Sequence, residues 1–154
     1  MSHDLPSIGR IENGEHLFPV RVYYEDTDFT GVVYHGNYVR YFERGRSDFL
    51  RVVGVSHASL LDREDQAAFT VVRMEIDFRR PARIDDGLVV RSSCSRTKGP
   101  RLYFDQKIMR GEELLAQAVV EVDAAGQDVG DLHRHFVRNA GFVDRGKQRT
   151  ADLA

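Results

Sequence analysis

From Pro19 to Glu25 the chain alternates, with Val20, Val22 and Tyr24 on one side and Arg21, Tyr23 and Glu25 on the other. That is the period of a half-buried strand. The period then changes. Between Tyr38 and Val53, the apolar residues Tyr38, Tyr41, Phe42, Phe49, Leu50 and Val53 fall on one arc of a 3.6-residue wheel, while Arg40, Arg44, Ser47 and Arg51 fall opposite. An amphipathic helix is predicted there. Gly45 lies inside its apolar arc, where glycine costs roughly 0.5–1 kcal/mol unless the missing side chain is needed, so a strand is expected to approach at this point. Alternation returns over Phe69–Phe78, Leu88–Cys94, Leu102–Met109 and Leu114–Val122, predicting four more strands. The connections TKGPR (97–101) and RGEE (110–113) are short and contain glycine, as antiparallel hairpins do, and ARIDDG (82–87) fits the same geometry. The economical packing is an α+β fold with a sheet of about five strands wrapped around one long helix.

The flanks lack this patterning. Residues 1–17 are polar, carry Pro6, Gly9 and Gly14, and read as an N-terminal arm. The domain is expected over 18–124, with a charged C-terminal tail over 125–154 that has room for one short helix. At 154 residues the chain suffices for one cored domain. Its 22 Lys and Arg nearly balance 24 Asp and Glu, so no global field calls for nucleic acid. The single Cys94 excludes an internal disulfide and, lying in a strand pattern, reads as a buried inert thiol. No apolar run approaches the roughly 20 residues of a membrane span, and the first residues do not read as a leader. The expected location is cytoplasmic, with peripheral contact at the inner membrane left open.

Chemistry concentrates at the strand-to-helix junction, in YYEDTDFTGVVYHGNYVRYFERGRSDFLR (23–51), where Glu25, Asp26 and Asp28 precede a glycine and a helix start. Acidic turns are ordinarily solvated. Here the first-turn N–H groups of a helix follow at once, and a carboxylate beside free N–H donors is the minimum equipment for acyl transfer. No GxSxG elbow, HExxH pair or phosphate-binding glycine loop offers a rival. Glu43 and Arg46, spaced i, i+3, suggest a partly buried ion pair. Arg79, Arg80, Arg83, Lys98 and Arg101 gather at strand ends, as solvated edge charges or phosphate contacts. His133 and His135 lack a third ligand for a metal.

The stretch VRVYYEDTDFTGVVYHGNYVRYFERGRSDFLR, continued by FTVVRMEIDFRRPARIDDGLVVRS, resembles the 4-hydroxybenzoyl-CoA thioesterase family and, more narrowly, its bacterial YbgC-type acyl-CoA thioesterases, over roughly residues 18–123. The resemblance implies a hot-dog fold, assembly as a homodimer or homotetramer with sites at the subunit interface, and no metal or redox cofactor. It implies an acyl-CoA substrate, short to medium aliphatic or aromatic. Asp28 matches the catalytic carboxylate, as nucleophile or as general base for water, and His35 the position whose backbone N–H polarises the thioester carbonyl. Gly31, Tyr34 and Asn37 would flank the pocket, and Glu43 matches the helix where a related branch places its catalytic glutamate. Asp28 and His35 are seven positions apart and no Asn-Pro pair occurs, against the hydratases of the same fold. The competing reading is a non-catalytic module that binds acyl-CoA or acyl carrier protein and serves a cell-envelope assembly of the Tol-Pal kind.

Overall fold

The computed structural model of the chain describes residues 9–53 and 68–125. Their elements run β1 (Arg10–Glu12), β2 (Glu15–Arg21), one turn of 3-10 helix (Tyr24–Asp26), α1 (His35–Val52), β3 (Ala68–Phe78), β4 (Gly87–Lys98), β5 (Arg101–Arg110) and β6 (Glu113–Ala125). The strands form one antiparallel sheet in the order β1-β2-β4-β5-β6-β3. Helix α1 lies on one face, and its apolar arc meets the inward residues of the strands in a single core: Tyr41, Phe42 and Phe49 pack with Leu88, Val90, Phe104, Ile108 and Val120. The helix covers the predicted segment as far as Val52 and begins three residues earlier. The expected α+β class holds, with six strands among the described residues where about five were expected.

The additional strand comes from the segment expected to be an arm. Arg10 pairs with Leu17 and Glu12 with Glu15 across Asn13–Gly14. Both turn residues have positive φ, as a two-residue hairpin turn of this type requires. The ordered sheet therefore begins at Arg10, ahead of the expected boundary at Phe18. Strand β2 also stops at Arg21, earlier than the alternation through Glu25 implied. Asp26 ends it: its carboxylate accepts the Tyr23 N–H at 2.8 Å while its own N–H donates to the Tyr23 carbonyl at 3.0 Å, closing the turn. The expected tail lies almost entirely outside the described residues, as do His133 and His135.

The second correction concerns ARIDDG. Strands β4, β5 and β6 form the expected meander through two-residue turns at Gly99–Pro100 and Gly111–Glu112. Strand β3, however, pairs with β6 and lies at the sheet's edge, so residues 79–86 form a crossing and not a hairpin. Their backbone groups are committed elsewhere: the N–H groups of Arg79 and Arg80 donate to the Leu115 carbonyl, Asp85 N–H donates to the Val22 carbonyl, and the Ala82 carbonyl accepts from Val33 N–H at 2.9 Å.

Gly45 behaves as its position predicts. A Cβ there would lie 2.7 Å from Val90 Cγ1 and 3.3 Å from both Gln106 Nε2 and Ser92 Oγ, so β4 and β5 approach the helix where the side chain is missing. Gln106, fully buried, donates through Nε2 to the Phe42 carbonyl and to Ser92 Oγ, each at 2.9 Å, and accepts from Arg46 Nη1 at 3.0 Å. Arg46 thus takes a partner 60 positions away, and its expected ion pair with Glu43 does not form. Glu43 is exposed and accepts from Ser47 Oγ at 2.8 Å.

A second buried polar contact joins the N-terminal hairpin to the helix. His16 Nε2 lies 2.7 Å from Asp48 Oδ2, which also accepts the Gly9 N–H at 2.8 Å. Burial holds the His16 pKa below its ordinary 6.5 although Asp48 pulls the other way. The imidazole is therefore neutral at pH 7, donating from Nε2. Its Nδ1 is buried and has no hydrogen-bond partner among the described residues.

Candidate active site

The loop between the 3-10 turn and α1 is a narrow excursion whose base is closed by pairing of Thr27 with Val33. Within it, Asp28 N–H donates to the Val32 carbonyl and Gly31 N–H to the Asp28 carbonyl, both at 3.0 Å. Gly31 reverses the chain with φ of +85°, a conformation in which any side chain is strained. That explains the glycine, expected here for a tight turn.

Asp28 is partly exposed on this loop. Its Oδ1 accepts from the Thr30 N–H at 2.8 Å and from the Thr30 hydroxyl. Its Oδ2 has no hydrogen bond among the described residues. The Thr30 hydroxyl, then the Thr30 amide and the nearby His35, hold the Asp28 pKa below its ordinary 3.8. The group is therefore ionised at neutral pH, with one oxygen fixed and one presented.

His35 is the first residue of α1, and no side chain caps the helix at Tyr34. The amides of His35 and Gly36 find no acceptor among the described residues, so the helix start presents two N–H donors beside the Asp28 loop. The exposed His35 ring stacks at a tilt on Tyr34, ring centres 4.4 Å apart. The Tyr34 ring also covers Gly36, where a Cβ would meet it at 2.7 Å. Phe29 is exposed on the same loop, and Tyr23 and Tyr24 are exposed at the 3-10 turn that precedes it. Asp28, Gly31, Tyr34 and His35 thus belong to one open loop-and-helix-start unit.

Two expected site residues are placed elsewhere. Asn37 is buried and turns inward, donating from Nδ2 to Asp26 Oδ1 at 2.8 Å, so its amide braces the loop instead of facing a pocket. Glu43 lies eight residues along α1 from His35, roughly 12 Å away at 1.5 Å per residue. It borders a separate recess of about 120 Å³, otherwise lined chiefly by Leu50, Phe69, Val71, Phe104 and Val122.

The residue that sequence reasoning passed over is Asp26. It is buried, its carboxylate takes Tyr23 N–H and Asn37 Nδ2, and its carbonyl accepts the Tyr34 N–H at 3.0 Å. It ties the loop's first residues to the helix's first turn. A second tie comes from the crossing segment: Ala82, wholly buried, donates its N–H to Tyr38 Oη at 3.0 Å while accepting from Val33.

A model of the thioesterase superfamily matches residues 30–117, more than half of the chain. The acyl-CoA thioesterase YbgC of Haemophilus influenzae is 45% identical over 122 residues, which are 79% of this chain and 87% of that one. The chain belongs to the thioesterase superfamily. Among solved structures, a probable thioesterase of Bartonella henselae superposes with a TM-score of 0.71 at 43% identity, covering 74% of this chain and 94% of its own. A 1,4-dihydroxy-2-naphthoyl-CoA thioesterase of Synechocystis superposes at 0.68 with 26% identity, covering 73% and 82%. These neighbours establish the hot-dog architecture, one helix against an antiparallel sheet, that the sequence resemblance implied. The superfamily match begins two residues after Asp28 and takes in Gly31, Tyr34, His35, Asn37 and Glu43.

Proposed function

We propose that this enzyme hydrolyses the thioester bond of acyl-CoA, with a short to medium aliphatic or an aromatic acyl group, and that Asp28 and the start of α1 carry the reaction. The observation that carries this reading is a carboxylate whose Oδ2 has no hydrogen bond among the described residues, on the short loop that leads into a helix start with two N–H donors likewise unspent there. Asp28 either attacks the thioester carbon or takes a proton from the water that does. The developing oxyanion is met by the His35 and Gly36 amides. The C–S bond then breaks, the CoA thiolate leaves, and water supplies the oxygen of the free acid.

Two further features support the reading. The low pKa of Asp28 keeps it charged at neutral pH, as either role demands. The names of the similar proteins from Haemophilus influenzae and Escherichia coli describe acyl-CoA thioester hydrolysis. A binding-only module gains nothing from a bare carboxylate near substrate phosphates, because the charge repels them. We also infer a homodimer or homotetramer: β3 is a sheet edge, and Val71, Val72 and Phe78 are exposed along it.

The test is release of CoA thiol from a panel of acyl-CoAs by the wild-type enzyme and by Asp28→Asn. The variant is expected to lose about 100-fold or more in turnover while keeping its fold and assembly. Equal activity in the two proteins overturns the role of Asp28 and moves attention to Glu43 and its recess.

A further inference from the structure

We propose that Arg83 binds the phosphates of coenzyme A and so fixes the nucleotide end of the substrate relative to Asp28. The inference rests on the thioesterase reading above and names a binding residue within it. It begins from the crossing segment. Arg83 pairs with Val32 in an isolated antiparallel bridge, and Val32 is the residue whose carbonyl receives the Asp28 N–H at 3.0 Å. Residues directly opposed in such a bridge have Cα atoms about 4.5–5.5 Å apart, so Arg83 grows from the strip of backbone beside the reactive loop. Its base is held firmly. The preceding Ala82 is tied to Val33 and Tyr38, and the Arg83 N–H donates to Asp86 Oδ2 at 2.9 Å.

Three other cations at this end of the molecule are committed, whereas Arg79, just after β3, is exposed as Arg83 is but is not bridged to the loop. Arg80 Nη1 lies 3.2 Å from Glu113, Arg110 holds Asp86 at 2.8 Å and Glu113 at 3.2 Å, and Arg21 Nη1 donates to the Asp85 carbonyl at 2.7 Å. Among the basic residues gathered at strand ends, Arg101 is held at the far hairpin by both carboxylate oxygens of Asp123. Lys98 ends β4, eleven residues and therefore roughly 36 Å from Gly87 at the strand's other end. The Arg83 side chain is exposed, and its guanidinium makes no hydrogen bond or salt bridge among the described residues, although its charge acts on nearby Asp86.

The local charge explains what this group would do. Glu25, Asp28 and Asp85 all lie exposed or partly exposed at this end, so a substrate carrying a diphosphate and a 3′-phosphate meets like charge there. A guanidinium offers five donors in a planar fork suited to phosphate oxygens. Arg83, bridged to Val32 beside the loop, is a cation placed to offset that repulsion without breaking a hydrogen-bonded pair.

The test compares wild type with Arg83→Gln on an acyl-CoA and on the matching acyl-pantetheine, which keeps the thioester and lacks every phosphate. Because the Arg83 side chain makes no internal contact of this kind, the variant should fold normally, and circular dichroism checks that it does. KM for the acyl-CoA is expected to rise about tenfold with kcat little changed, while the acyl-pantetheine kinetics stay at the wild-type level. A 3′-dephospho-CoA thioester then assigns the contact: the penalty persists if Arg83 meets the diphosphate and vanishes if it meets the 3′-phosphate. Wild-type kinetics on acyl-CoA, or an equal loss on both substrates, overturns the proposal. Failure of the wild-type enzyme on every thioester is a different result and overturns the thioesterase reading itself.

Discussion

Replacing Gly45 by alanine sets two effects of opposite sign against each other in one methyl group. In an ordinary helix interior the change stabilises by roughly 0.5–1 kcal/mol, because glycine loses more backbone freedom on folding. Here the new Cβ would lie 2.7 Å from Val90 Cγ1 and 3.3 Å from Gln106 Nε2 and Ser92 Oγ. Val90 is wholly buried, so it cannot yield into solvent, and an overpacked core typically costs about 1–3 kcal/mol. Displacing Gln106 also weakens its bonds to the Phe42 carbonyl and Ser92, each contributing about 0.5–1.5 kcal/mol. The unfavourable side wins, and Gly45→Ala is expected to destabilise by about 1–2 kcal/mol net. Urea denaturation followed by circular dichroism measures this as a lower midpoint at unchanged slope. A variant as stable as wild type, or more so, would show that the sheet does not press on the helix at this point and would refute the close-approach argument.

Two other perturbations probe the remaining buried polar contacts. Asp26→Asn keeps the side-chain shape but leaves one acceptor where Tyr23 N–H and Asn37 Nδ2 now use two; turnover should fall several-fold with stability reduced by about 1–3 kcal/mol, and unchanged turnover in a folded variant would remove Asp26 from the positioning of the loop. The lowered pKa of His16 means that the unfolded chain takes up a proton near pH 6.5 that the folded protein refuses. Its contribution is therefore fully present above that pH and declines as pH falls, with a slope that cannot exceed one proton, about 1.4 kcal/mol per pH unit. His16→Gln should flatten the loss of stability between pH 7 and pH 5, and equal slopes in the two proteins would show that His16 is not the group responsible.

The parts of the fold legible in the sequence are those governed by local periodicity. The helix could be read from Tyr38 to Val53 because burial on one side of a wheel leaves a spacing, and β4 to β6 because alternation and glycine turns are local as well. The N-terminal hairpin carried its own signal in the Asn13–Gly14 pair, but its strands are short and their pattern is broken by polar residues, among them the buried His16. Strand order was not legible, since nothing within ARIDDG reveals that its backbone groups are taken by Val22 and Val33, or that those of Arg79 and Arg80 just before it go to Leu115. Of the three neighbouring carboxylates Glu25, Asp26 and Asp28, the family resemblance singled out Asp28. Which is buried was a matter of geometry, and Asp26 became a brace through Asn37, eleven positions away. Arg46 illustrates the same limit, because the sequence offers Glu43 nearby and the fold supplies Gln106.

The route of residues 79–86 makes a mechanical link between two distant parts of the molecule. The segment leaves the edge strand β3, receives Val33 at the Ala82 carbonyl, grips the Tyr38 hydroxyl with the Ala82 amide, and enters β4. Edge strand and Asp28 loop are thereby strung on one short cord. A shift of β3 would therefore be passed through Ala82 to Val33 and Tyr38, which stand on either side of the first turn of the helix.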